Sequence, residues 1–317
     1  MKKDANITLR TSLKMKTTIT KSFLGIGFLA ISLLLSSCMA DLRSPMLKKE
    51  GLSQSNVDKG RAILQEAWEK QGFNHLAKFK TYAAKGQDRW KGMLGKMGKV
   101  WPEAKSSLEL KYAIGTFDGR VSFLDGKRKG EQAGLQSWKY YEVDENGTTE
   151  FMKRNVRIRF GLAAYQYFFE LGDRMMKAPI VSYSGEKEFR GKQYDQVFVS
   201  WHKAKAHKQN DQYLLWINKE TKMIEFSTYT LRDNYLPMPG GRALFGSIEY
   251  GDFRNVQGVM IPHLHSIYIN NPKKKNSKFL HKMKVSNFQF DAFELDELYP
   301  NKSLKRLGDT KDVVSID

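Results

Sequence analysis

Between residues 81 and 290 apolar side chains recur mostly at every second position, the spacing of strands with one buried face. Leu108, Leu110, Tyr112 and Ile114 alternate with Glu109, Lys111 and Ala113. Val121 and Phe123 carry the next strand, which Asp125-Gly126 ends. Residues 138–143 lead into Asn146-Gly147, a strong hairpin signal, and Val156, Ile158 and Phe160 alternate again. Strands at 182–189 and 194–201 flank Arg190-Gly191-Lys192. Strands at 212–218 and 223–232 flank a turn at 219–222. Segments 243–254 and 259–270 form another pair, and 278–290 is the last long strand. Connections this short make neighbouring strands antiparallel.

Two segments break the rhythm. Val57, Leu64, Ala67 and Trp68 share one helical face, with Ile63 at its edge. Ser55 and Asp58 form a cap-like pair ahead of them, and Gly72 is placed to end that helix. Residues 74–79 read as one further turn. Leu162, Tyr165, Tyr167, Phe168, Phe169 and Leu171 predict a second, short helix over 161–176, apolar nearly all round and therefore buried or in contact with lipid. The pattern predicts a mainly β chain of α+β type. About ten antiparallel strands, enough to curl, are covered by an N-terminal helix and a central aromatic helix. No internal repeat occurs, and no linker after residue 55 marks a second domain. Residues 296–317 read as a polar C-terminal tail.

Ahead of this domain, Lys14, Lys16 and Lys21 precede an apolar run over 23–35 of about a dozen residues. That is too short for a bilayer span of roughly 20 residues and has the layout of a secretory signal. Met15 is an alternative start. The run ends in Leu35-Ser36-Ser37-Cys38, which resembles the bacterial lipobox and holds the only cysteine of the chain. The resemblance implies removal of residues 1–37 and acylation of Cys38 by two or three chains, palmitate among them. One chain anchors only reversibly, at roughly 0.8 kcal/mol per buried CH₂, whereas several hold a protein at the membrane. The polar stretch 38–54 reads as a tether and 55–295 as the folded domain. After cleavage no second cysteine remains, so neither a disulfide nor a cysteine metal or redox site is available. The mature chain carries 47 basic against 33 acidic residues, a net charge of +14. Such a balance suits an anionic surface or ligand. Export argues against nucleic acid as the partner, and a basic solubilising surface is the alternative. Met39 after Cys38 lacks the aspartate that retains some lipoprotein precursors at the inner membrane, so the expected location is the outer membrane, facing the periplasm.

A set of short motifs in fixed order carries a wider likeness. Lys59-Gly60-Arg61-Ala62-Ile63-Leu64 leads to Gln71-Gly72-Phe73 and to Phe79-Lys80-Thr81-Tyr82. Gly191-Lys192-Gln193-Tyr194-Asp195-Gln196-Val197 follows, then Tyr213-Leu214-Leu215-Trp216-Ile217-Asn218-Lys219-Glu220-Thr221 and Ile224-Glu225-Phe226, and finally Gly258-Val259-Met260-Ile261-Pro262. In this order the chain resembles the lipoprotein-carrier superfamily of LolA/LolB-like proteins, in particular its uncharacterised lipoprotein members, over about residues 55–295. The resemblance implies a curved, unclosed antiparallel β-barrel covered by helices. It also implies an apolar cavity for acyl chains of lipids or lipoproteins, non-catalytic action and no cofactor. The chain is longer than the carriers, with an extra aromatic middle segment.

The candidate acyl-chain residues on the inward face are Leu108, Leu110, Tyr112, Ile114, Val121, Phe123, Val197, Val199, Trp201, Leu215, Ile217, Ile224 and Phe226. The alternative is that they fill an ordinary core. Tyr165, Phe168 and Phe169 are candidates for a lid. In the glycine- and lysine-rich stretch 91–101, Met93, Leu94 and Trp101 (with Met97) are candidates for contact with a membrane; Gly98-Lys99 lacks the spacing of a phosphate loop. Lys273-Lys274-Lys275 reads as a solvated hairpin tip or a phosphate contact. His263 and His265 share one side of a strand without a supporting third ligand, so no metal site is expected. His202 and His207 read as surface residues. Ser200-Trp201-His202-Lys203 has the S-x-x-K spacing without its companion motifs, and Glu294, Asp296 and Glu297 lie where the tail begins. The sequence thus favours a monomeric, lipid-anchored binding protein. A structural or docking lipoprotein with a filled core comes next, and an envelope hydrolase last.

Overall fold

A computed structural model of the chain describes residues 39–152, 155–232, 243–272, 278–304 and 306. The segment read as a signal, Cys38 and Lys273-Lys274-Lys275 lie outside the described residues. Among the described residues the fold is one 13-stranded antiparallel sheet that does not close into a barrel.

The chain makes two meanders that meet in the middle of that sheet. β1 (Thr81–Trp90), β2 (Lys105–Ala113), β3 (Gly119–Phe123), β4 (Gln132–Gln136), β5 (Lys139–Val143) and β6 (Thr149–Phe151) step outward to one edge. The chain then crosses as helix. β7 (Ile180–Phe189), β8 (Lys192–Ser200), β9 (Gln212–Asn218), β10 (Ile224–Thr230), β11 (Phe245–Val256), β12 (Val259–Ile269) and β13 (His281–Phe290) step back from the opposite edge, until β13 pairs with β1. β6 and β7 are the open edges.

Three of the thirteen strands carry little sequence signal. β1 turns Tyr82, Ala84, Gly86, Asp88 and Trp90 to one side, a row of mixed size and polarity. β4 and β6 are five and three residues long.

The helices are α1 (Pro45–Glu50), α2 (Gln54–Lys70), α3 (Gly92–Gly98), α4 (Val156–Phe169) and α5 (Leu171–Met176), with 3-10 turns at Phe73–Lys78 and Leu295–Leu298. Ser53 rather than Ser55 caps α2, accepting from the Asn56 amide. Gly72, at φ 76°, lets the chain turn out of it. Gly60 lets α2 lie directly on β7: a Cβ there would stand 2.4 Å from the Tyr183 amide nitrogen.

The reading of Val156, Ile158 and Phe160 as a strand is wrong; they open α4, capped by Asn155. Ile158, Leu162, Tyr165 and Phe169, spaced four, three and four, are its buried stripe. Among the described residues no helix is long and apolar enough to cross a membrane.

Part of the stretch 38–54, read as tether, packs on the sheet. Leu42, Met46 and Leu47 cover Phe198 on the outer face of β8, and Leu47 is 1% exposed. Leu298 and Tyr299, beyond the last strand, are buried against Ala113.

Candidate functional site

The helices cover one face of the sheet, and two large apolar clusters lie beneath them. The first joins Leu108, Leu110, Tyr112, Val121 and Phe123 of β2 and β3, with Ile114 beside them, to Leu162, Tyr165 and Phe169 of α4. The second joins Val197, Val199, Leu215, Ile217 and Ile224, with Trp201 beside them, to Leu64 of α2 and Leu171 and Met175 of α5. Twelve of the thirteen inward candidates therefore share the covered face, split between two meanders.

Phe226 does not. A bulge between Ile224 and Phe226 shifts β10 by one residue, and such a slip sends every later side chain to the other face. Phe226 packs edge-on against Phe189 and Tyr194 and at a tilt against Trp216 on the outer face, while Tyr229 takes the inward position.

The three lid candidates are packed. Phe169 touches Tyr82, Phe288 and His265, Phe168 lies against Tyr229, and Tyr165 is buried. Trp101, expected at a membrane, is 1% exposed because its indole N–H donates to the Tyr165 hydroxyl at 3.1 Å. Met93, Leu94 and Met97 from the same stretch are exposed.

Two polar groups of residues sit inside this layer. At one end the Tyr165 hydroxyl donates to Asp88 Oδ1 at 2.7 Å and lies 2.9 Å from His281 Nε2. The Trp90 indole donates to Asp88 Oδ2 at 2.6 Å, His281 also bonds Asp88, and the Trp90 and His281 rings stack. Burial, and then the Asp88 charge, raise the Tyr165 hydroxyl well above its ordinary pKa, so it stays protonated and holds α4 to β1 and β13.

Towards the other end of α4, Glu170 accepts from Arg174 at 2.8 Å, Gln166 at 3.0 Å and the Gly115 amide at 3.2 Å. Arg174 also donates to the Thr116 carbonyl. Burial raises the Glu170 pKa and the Arg174 charge opposes it. The hydroxyls of Tyr82 and Tyr112 lie in the field of that carboxylate; burial first, and then Glu170, push both pKa values well up. The Tyr112 hydroxyl, and that of Tyr250 in the second cluster, have no hydrogen-bond partner among the described residues.

These two groups were not visible as chemistry in the sequence. The signals present were an aspartate at an inward position of β1, and Gln166, Glu170 and Arg174 at successive four-residue steps.

The remaining candidates are accounted for by local bonds. His263 and His265 are buried, bonded to the Ile261 and Pro262 carbonyls. Burial brings the His265 pKa down to about 3. No group of three or more metal-binding side chains occurs among the described residues. The Ser200 hydroxyl, 1% exposed, donates to the Lys203 and Asp211 carbonyls. Glu297 pairs with Lys111 and Arg120, and Asp296 with Arg306. The layer offers an apolar face with a few buried hydroxyls.

No family profile matches the chain, and no curated protein sequence matches it. Solved structures similar in shape include a DUF1329 family protein from Desulfovibrio piger, at 10% identity and a TM-score of 0.48, covering 79% of this chain and 99% of the other. A domain assigned as an outer membrane lipoprotein-sorting protein from Vibrio parahaemolyticus is 13% identical with a TM-score of 0.49, covering 77% and 97%. A LolA superfamily protein from Nitrosomonas europaea is 11% identical with a TM-score of 0.47, covering 77% and 99%.

Proposed function

We propose that this is a lipid-anchored protein of the bacterial envelope, held by acylated Cys38. In this reading it shelters an acyl chain, of a lipid or of a lipoprotein, between the covered face of the sheet and α4. It makes and breaks no bond, and its selectivity rests on fit against the two apolar clusters. The observation that carries the reading is the covered face itself. Apolar side chains run across both meanders and enclose the Tyr112 and Tyr250 hydroxyls, which lack partners among the described residues. A buried hydroxyl left unbonded costs about 1–3 kcal/mol, and a ligand head group or water that reaches it removes the cost. The lipobox and the ordered motifs point the same way. Because α4 occupies the space above β1 to β4, an acyl chain enters only as α4 lifts.

That packing also favours a second reading, a docking lipoprotein whose layer is permanently filled by α4. A form beginning at Met39 separates the two by titration with a fluorescent fatty acid. Under the first reading Leu110→Phe and Val199→Phe, which add volume to the covered face, weaken uptake at least tenfold while circular dichroism stays native. Phe226→Leu, on the outer face, leaves uptake unchanged. Equal uptake by all three variants, or none by the parent protein, rejects the acyl-chain reading and leaves the docking one.

A further inference from the structure

One end of the sheet gathers features that the binding layer does not use. β1 ends there at Trp90, paired with His281 at the start of β13, and His281 pairs in turn with Ile267 of β12. The register runs on through Gly246–Ile269, Thr230–Phe245 and Ser200–Gln212. The β1–β2 and β8–β9 connections, with the end of β10 and the start of β11, therefore lie at this end.

The first described residues lie there too. The Leu42 amide donates to Gln212 at 2.9 Å, and Arg232 donates to the Ala40 carbonyl at 2.6 Å. Cys38 is two residues before Ala40, and two residues of chain reach at most about 7 Å. An acylated Cys38 thus brings its membrane to this end of the sheet.

α3 is built to meet it. Its glycine side faces the protein: Gly95 and Gly98 are buried, and a Cβ at Gly95 would stand 2.9 Å from the Leu280 carbonyl. Its other side presents Met93, 75% exposed, with Leu94 and Met97 at 41% and 46%. Three apolar side chains on one exposed turn are an unusual expense for a soluble surface.

Lys91 and Lys96 stand beside them, and the β8–β9 connection, farther along the same end of the sheet, carries Lys203, Lys205 and Lys208, all exposed. None of these five forms an ion pair among the described residues. Of the acids at this end, Asp41 pairs with Arg43, Glu103 accepts from the Lys127 amide, Asp125 from the Ser107 amide, and Asp211 from Thr230 and the Arg232 amide, while Asp144 and Glu145 are exposed on the β5–β6 turn.

We infer that this end of the sheet is a second, non-covalent membrane contact. α3 lays Met93, Leu94 and Met97 at the boundary between head groups and acyl chains, and the lysines sit over the phosphates of an anionic bilayer. The lipid anchor then sets distance from the membrane and this contact sets orientation. The inference stands whether or not the covered face takes an acyl chain.

Every described element lies after residue 38, so a form beginning at Met39 keeps them all and has no cysteine. Met93→Cys and, at the opposite end, Glu220→Cys each then carry one environment-sensitive fluorophore. They are mixed with phosphatidylcholine vesicles with or without 30% phosphatidylglycerol. The expected result is binding that needs phosphatidylglycerol and weakens with salt, with a blue shift and quenching by lipid-borne quencher at position 93 only. The triple change Lys203→Glu, Lys205→Glu, Lys208→Glu lowers binding at least 100-fold, and Leu94→Ser with Met97→Ser at least tenfold, both with native circular dichroism. Absence of binding at low salt, binding indifferent to phosphatidylglycerol, or binding without a shift at position 93 overturns the inference.

Discussion

His265 makes the protein acid-sensitive by an amount that the structure sets. Its ring is buried between Phe169 and Tyr250, it bonds the Pro262 carbonyl, and His263 and His281 are the charged-when-protonated groups facing it. Burial, the largest cause, lowers its pKa to about 3, whereas the unfolded chain titrates near 6.5. A lowered histidine pKa means that the native state refuses a proton that the unfolded state accepts. Stability is therefore complete above about pH 6.5 and falls as pH drops towards 3. Linkage gives a loss of about 2 kcal/mol between pH 7.5 and pH 5, and about 3 kcal/mol by pH 4. Other groups titrate in the same window, so the test is a difference. Urea unfolding of the parent and of His265→Gln is followed by circular dichroism at pH 7.5, 6 and 5. At pH 7.5 the variant is weaker because ring packing is lost. By pH 5 the gap closes by about 2 kcal/mol. Parallel stability curves for the two proteins across that range refute the argument.

Gly60→Ala drives a methyl into the backbone of β7, where the nearest atom stands 2.4 Å away, and lowers stability by about 1–3 kcal/mol, read as a shifted urea midpoint. Arg174→Met strands the buried Glu170 carboxylate and costs about 3–5 kcal/mol. The raised Glu170 pKa rises further, so the loss shrinks as the pH falls and Glu170 takes a proton, which unfolding at pH 7.5 and 5 reports. Glu170→Leu with Arg174→Met recovers most of the loss. Tyr112→Phe removes a buried hydroxyl that has no partner among the described residues. It raises the stability of the ligand-free protein by about 1 kcal/mol and weakens fatty-acid uptake if that hydroxyl meets the head group.

What the sequence disclosed, and what it hid, divide along one physical line. Alternation is local, so strands whose inward residues are all apolar are legible: Leu108 to Tyr112 in β2, Tyr213 to Ile217 in β9, Val259 and Ile261 in β12. Hairpin chemistry at Asn146-Gly147 fixes β5 against β6. An inward row that mixes Tyr82, Gly86 and Asp88 defeats the same test, because what makes Asp88 a core residue is Tyr165, 77 positions away. Trp101 illustrates the point from the other direction. Set among lysines it reads as a membrane anchor, yet its partner lies 64 positions on. Val156, Ile158 and Phe160 satisfy period two over five residues, but the longer stripe Ile158, Leu162, Tyr165, Phe169 satisfies the helical period, and the longer register decides.

Phe226 is the instructive failure for function. Nothing in Ile224-Glu225-Phe226 announces a bulge, since the register shift is settled by pairing with β9. A single inserted residue exchanges the roles of Phe226 and Tyr229. The exchange changes what the binding layer holds: a tyrosine comes to lie against Phe168 of α4, and a phenylalanine is retired to an aromatic cluster on the far side of the sheet. Ile224 and Phe226, two apart but on either side of the bulge, are thus matched controls for each other, one facing the helices and one facing away. For that reason substitution at Ile224 and at Phe226 tests the covered face more sharply than any pair chosen from a regular strand.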